Sequence, residues 1–242
     1  MNKKLWLLPL IVLLPITMFA LRPRPKPQQP KYWSDLPPVI IWAWERPEKL
    51  DFIDTNRVGV AFLAKTLRLQ GDRVFARPRY QPLELAPGTK LMAVIRIETD
   101  RPTLSSTQLE KTAAEITKLS AISAVQIDFD ATVSEREFYK GLLNELRRRL
   151  PPSTSLSITA LASWCAGDNW LDDLPIDEAV PMLFRMGVDR GLRRFDSAIC
   201  RNSAGVAIDE PLTPPAVDRL YIFNPNSWSQ DSLNTALESY HK

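Results

Sequence analysis

Short apolar runs and helical patterns alternate along most of the chain. The runs stand at Val39–Trp44, Val58–Ala64, Leu91–Ile97, Ala124–Phe129, Leu156–Ala162, Ala179–Phe184, Gly205–Ile208 and Leu220–Phe223. Their lengths and their bounding turn residues predict eight strands. A helix is expected over Thr107–Leu119, with Leu109, Ala113, Ile116 and Leu119 on one face. Ser134-Glu135-Arg136-Glu137 reads as a capping box that opens a second helix. Phe138, Leu142, Leu146 and Leu150 form its apolar stripe, and Pro151-Pro152 stops it. A third helical pattern runs from Ser229 to about Tyr240.

Strand–helix alternation implies βαβ units and a parallel sheet. Eight such strands predict an α/β fold, a compact (β/α)8 TIM-like barrel spanning residues 39–242 as one domain. An open doubly wound sheet is the alternative. One unit departs from the pattern: Lys65 to Ala76 alternates around Gly71-Asp72, which predicts a hairpin in place of the helix between the second and third strands.

The N-terminus is of another kind. Asn2-Lys3-Lys4 precedes an apolar stretch from Leu5 to Leu21, so residues 1–21 read as a signal peptide or an uncleaved signal anchor. Residues 22–38 alternate proline with basic residues and read as a stiff polyproline spacer, with a proline-recognition ligand as the alternative. The expected location is therefore export to the periplasm, tethered to the inner membrane if residues 5–21 stay attached. Cys165 and Cys200 are the only cysteines, and an even count in an exported chain suggests one disulfide.

Composition narrows the chemistry. The net charge is +3, from 31 basic and 28 acidic residues. Six of the basic residues lie in the leader and spacer (Lys3, Lys4, Arg22, Arg24, Lys26 and Lys31), so the remainder has 25 against 28, and a nucleic-acid-binding domain is not expected. His241 is the single histidine, which argues against histidine-based triads and His-rich metal sites. No G-x-G-x-x-G, P-loop or G-x-S-x-G pattern occurs, and neither a cofactor nor a metal is expected.

The candidate chemistry comes from the strand faces. In the fourth strand Val125, Ile127 and Phe129 face one way, and Gln126, Asp128 and Asp130 face the other. Burying a carboxylate without partners costs several kcal/mol, so a polar stripe inside a barrel needs a reason. In the third strand Arg96 and Glu98 share a face with Met92 and Val94, and strand adjacency would set them beside Asp128 and Asp130 at the barrel's top. The alternative is a structural ion-pair network around Arg96. Other strand ends contribute Trp42, Trp44, Trp164, Arg185, Glu210 and Asn224. Carboxylates among indole rings suit a carbohydrate ligand, since flat rings stack on sugar faces, while core packing is the alternative for each tryptophan.

Glycoside hydrolysis needs a carboxyl pair. Asp128 and Asp130, with Glu98 and Glu210 as partners from other strands, are the candidate catalytic acids. Asp130 or Glu210 is expected to donate the proton, and Asp128 to be the ionised acid held by Arg96. Asp128-Phe129-Asp130 also fits the D-x-D of metal–nucleotide-sugar binding, a reading ranked lower because an exported domain lacks nucleotide sugars. A non-catalytic glycan-binding or envelope-assembly module on the same scaffold is the alternative function.

Several of these segments resemble a bacterial family of unknown function, domain-of-unknown-function number 3142. The stretches are Ile41–Glu48, Gly59–Leu63, Val125–Ala131, Ser157–Cys165 and Val180–Gly187. The resemblance implies no activity, because none is established for that family. The Gln126–Asp130 strand is also similar to the acid-bearing strands of barrel glycosidases. The chitinase-type pattern D-x-x-D-x-D-x-E is departed from, with Val125 at its first position and Thr132 where its glutamate would stand.

Overall fold

The computed structural model describes residues 36–100, 104–119, 124–187, 194–210 and 216–240. Residues 1–21 and the spacer up to residue 35 lie outside the described residues, and with them the signal, anchor and tether expectations.

All eight expected strands form. They are β1 (Val39–Ala43), β3 (Val58–Gln70), β6 (Leu91–Thr99), β7 (Ala124–Asp128), β8 (Ser155–Leu161), β9 (Glu178–Met182), β10 (Ser203–Ala207) and β11 (Arg219–Phe223). Each pairs in parallel with its neighbours, and β1 pairs with both β3 and β11, which closes the barrel. The hairpin is also present: β3 runs past the barrel and pairs antiparallel with β4 (Arg73–Pro78). Gly71 turns it at φ +53, a backbone state that only glycine adopts freely. Two short strands escaped the sequence reading, β2 (Glu48–Leu50) and β5 (Leu83–Leu85), which pair with each other outside the barrel.

The helical layer is thinner than a (β/α)8 pattern implies. Among the described residues three helices exceed one turn: α1 (Ser106–Thr117), α2 (Arg136–Arg149) and α4 (Gln230–Tyr240). Between β8 and β9 there is only α3 (Ala162–Cys165) and a 3-10 turn. Ser105 and Gln108 form the capping box of α1. The expected box at Ser134 is displaced: the Thr132 hydroxyl and backbone N–H both donate to the Glu135 carboxylate, at 2.6 and 2.7 Å. A 3-10 turn over Val133–Glu135 then leads into α2.

Strand alternation sorts the side chains into two layers. Ile40, Trp42, Met92, Val94, Val180 and Tyr221 fill the barrel, and Val125, Ile127, Ile95, Leu156 and Ile158 pack outside it with the helices. Gly205 leaves room for Trp42, since a Cβ there would stand 2.9 Å from the indole. Leu36 belongs to the interior layer, and Arg219 donates to the Pro37 and Leu36 carbonyls at 3.2 and 3.4 Å. The last residues of the expected spacer are thus part of the barrel's lower end.

Candidate functional site

The C-terminal ends of the strands surround an open cleft of about 1030 Å3. This is where chemistry collects in parallel barrels, because the loops there are free to vary while the strands hold their ends rigidly. Asp128 closes β7 at its floor. Arg96 is its register partner on β6, and Thr159 of β8 donates to its Oδ1 at 2.8 Å. Asp130 follows in a tight turn closed by the Ala131 N–H on the Phe129 carbonyl, 2.8 Å, and is exposed to the cleft.

Burial pushes the Asp128 carboxyl up from 3.8 to about 6. The Thr159 hydrogen bond opposes that rise, Asp130's charge adds to it, and Arg96 opposes it. The expected pairing of Asp128 with Arg96 is corrected here. The Arg96 guanidinium makes its ion pair with Glu98 at 3.2 Å and lies 5.8 Å from the Trp44 ring centre. Its attraction for Asp128 does not overcome desolvation, so the Asp128 carboxyl stands above the ordinary carboxylate range although Arg96 is its register partner.

Aromatic rings form one wall. Phe184 and Phe223 stack at 5.5 Å between centres, Trp44 meets Phe223 edge-on at 6.4 Å, and Trp42 lies beneath Phe184. Arg185 caps the pair of phenyl rings, 5.5 and 5.3 Å from their centres, and donates to Asp209 at 2.8 Å. Its φ is +51, the only positive value outside glycine among the described residues. Such a backbone costs about 1–3 kcal/mol and persists only where the surroundings hold it. Glu210 is part of that hold, since its carboxylate accepts the Arg185 backbone N–H at 3.1 and 3.2 Å.

Of the residues expected at the site, Trp42, Trp44, Arg96, Glu98, Asp128, Asp130 and Arg185 line the cleft together. Four do not. Gln126 is buried beneath the floor, where it accepts from the Trp42 indole at 2.9 Å and donates to Ser157 at 3.2 Å. Glu210 braces the rim from outside the lining. Trp164 lies in the outer core, 5.0 Å from the Trp170 ring centre, because β8 stops at Leu161 and a helical turn takes over. Asn224 is buried and caps a turn by accepting from the Asn226 N–H at 2.8 Å.

Arg46, Arg68 and Phe223 also line the cleft and escaped the sequence reading, while Glu45 and Phe184 were read at strand ends without a site role. The phenylalanines sit at strand ends that were read, and their inward parity was the available signal. The Cys165–Cys200 disulfide is present, with Cα atoms 5.9 Å apart. Among the described residues no three His, Cys, Asp or Glu side chains are placed to hold a metal ion.

Residues 87–181 match a family described as Domain of unknown function (DUF3142). No curated protein matches the chain. The part that matches DUF3142 runs from just before β6 almost to the end of β9. It therefore carries Arg96, Glu98, Asp128, Asp130 and Thr159, the charged floor of the cleft. The aromatic wall lies outside the DUF3142 match, on β1, on β11 and just beyond β9.

Proposed function

We propose that the protein is exported and that its barrel-top cleft acts on a glycan by carboxylate-based hydrolysis. One observation carries this reading: Asp128, a carboxyl held up to about 6 by burial, stands beside the exposed Asp130 in an open cleft walled by flat aromatic rings. A raised carboxyl is the chemistry of a proton donor near neutral pH, and a second carboxylate suits a nucleophile or a base that activates water. Rings presented edge and face to an open trough suit the apolar faces of pyranose units. The disulfide is consistent with an oxidising compartment and supports export.

A second reading, a glycan-binding module without catalysis, is favoured by the state of the other acids. Glu98 is engaged by Arg96, and Glu210 by the Arg185 backbone. Among the described residues that leaves Asp128 and Asp130, from one segment, as the candidate catalytic pair. The test is release of reducing ends from a panel of envelope and plant glycans by the wild-type, Asp128→Asn and Asp130→Asn proteins, with binding measured in parallel. Hydrolysis is expected in the wild type and should fall at least about 100-fold in Asp128→Asn, with affinity retained. Binding without release of reducing ends in the wild type selects the binding module. Neither binding nor release rejects a glycan ligand.

A further inference from the structure

Among the described residues four arginines line the cleft, and three are already committed. Arg46 pairs with Glu48 at 3.3 Å and donates to the Asn224 carbonyl at 3.0 Å. Arg96 pairs with Glu98, and Arg185 with Asp209. Arg68 differs. It is exposed and lines the cleft, and its side chain makes no hydrogen bond or ion pair with any described residue.

Its placement depends on a specific backbone device. The register of β3 against β6 shifts between Leu63 and Lys65, a bulge that inserts one residue. Before the bulge, Ala61 and Leu63 stand opposite the inward-facing Met92 and Val94. Unbroken alternation would next turn Lys65, Leu67 and Leu69 inward and Arg68 away. The extra residue reverses this: Leu67 and Leu69 are fully buried in the outer layer, while Thr66 and Arg68 stand opposite Arg96 and Glu98. The extension that carries Arg68 is also braced. Arg77 of β4 forms a two-pronged ion pair with Glu45, one contact at 2.7 Å, which ties the hairpin to the end of β1.

An unpaired guanidinium presents a planar fork of donors that matches a carboxylate in two parallel bonds. Among the described residues Arg68 is the one uncommitted cation of the lining, and one guanidinium balances one negative charge, as on a carboxylate, and not the two of a phosphate monoester. We propose that Arg68 recognises a carboxylate on the ligand, so that the glycan taken by this cleft is acidic, with a uronic acid or comparable sugar carboxylate held on its β3 side. The inference rests on the glycan reading above and specifies its substrate class.

The test uses the full chain and calorimetric titration with three acidic probes. These are oligogalacturonate, hyaluronate oligosaccharides and muramic-acid-containing glycan strands, each set against its carboxyl-reduced neutral form. At least one acidic form is expected to bind about tenfold or more tighter than its neutral counterpart, a preference that shrinks as salt is added. Arg68→Gln should erase the preference while leaving neutral binding and the melting temperature unchanged, and Arg68→Lys should keep part of it. Equal binding of acidic and neutral forms by the wild type overturns the role of Arg68 and leaves the glycan reading in place. So does a preference that survives Arg68→Gln. Failure to bind either form of all three probes overturns both.

Discussion

At the residue scale the cleft is organised by one costly group. Asp128 is protonated in both the folded and the unfolded chain well below pH 3.8, and there it costs nothing extra. As pH rises from 3.8 toward 6, the unfolded chain releases the proton first, so stability falls through this window. Above about pH 6 the loss is complete, at about 3 kcal/mol. Asn can still accept from Thr159 and carries no charge. Asp128→Asn is therefore expected to stabilise the protein by about 2–3 kcal/mol more at pH 8 than at pH 4. Urea unfolding of both proteins at the two pH values measures this, and an equal difference at both would remove the buried-acid account.

The two kinds of tryptophan can be separated in the same way. Trp164 is buried against Trp170, so Trp164→Ala should cost about 3–5 kcal/mol. Trp44 is half-exposed on the aromatic wall, so Trp44→Ala should cost about 1–2 kcal/mol and weaken glycan binding instead. Chemical denaturation and ligand titration of the pair would show this division of roles, and a large stability loss with intact binding in Trp44→Ala would contradict it.

At the scale of elements, strand periodicity explains most of the architecture, and its interruptions explain the site. The bulge in β3 exchanges the faces of everything after it, so the same two-residue period that places Ala61 inside the barrel brings Arg68 into the cleft. At the other end of the barrel Leu36 acts as a plug below Ile40 and Met92. Leu36→Ala is expected to destabilise the protein by about 2–3 kcal/mol, as for a buried leucine near the chain's entry into the domain. A change below about 0.5 kcal/mol in thermal or urea unfolding would return these residues to the spacer.

At the scale of the whole molecule, closure forces polar groups into the barrel and obliges them to satisfy one another. Glu178 accepts from Ser157 at 2.8 Å and Tyr221 at 2.9 Å, also from Ser203, and faces Arg219 at 3.6 Å. Burial raises its carboxyl, and Arg219 and these donors oppose the rise. Through Ser157 and Gln126 this network reaches Trp42 under the cleft floor. Outside the barrel the disulfide closes a loop across a sequence separation of 35 residues, joining α3 to the approach to β10. Replacing both cysteines by alanine should cost about 2–4 kcal/mol in chemical denaturation. Thiol titration of the denatured, unreduced protein should find no free sulfhydryl, and two free thiols would remove the bridge.

The sequence alone determined what depends on local repetition. Alternation within β6 and β7 assigned Arg96, Glu98, Asp128 and Asp130 to one face, because a strand's period is set by its own backbone. Gly71-Asp72 marked the hairpin for the same reason, and the two cysteines could pair only with each other. Tertiary structure decided everything that depends on elements meeting. Trp164 and Asn224 left the site because β8 gave way to a helical turn and Asn224 was used to cap a turn after β11. Arg68 entered because a bulge, invisible in the residue pattern, reversed the parity of β3. The Asp128 carboxyl is raised because Arg96 pairs with Glu98, and because desolvation is a property of surroundings that no single strand contains.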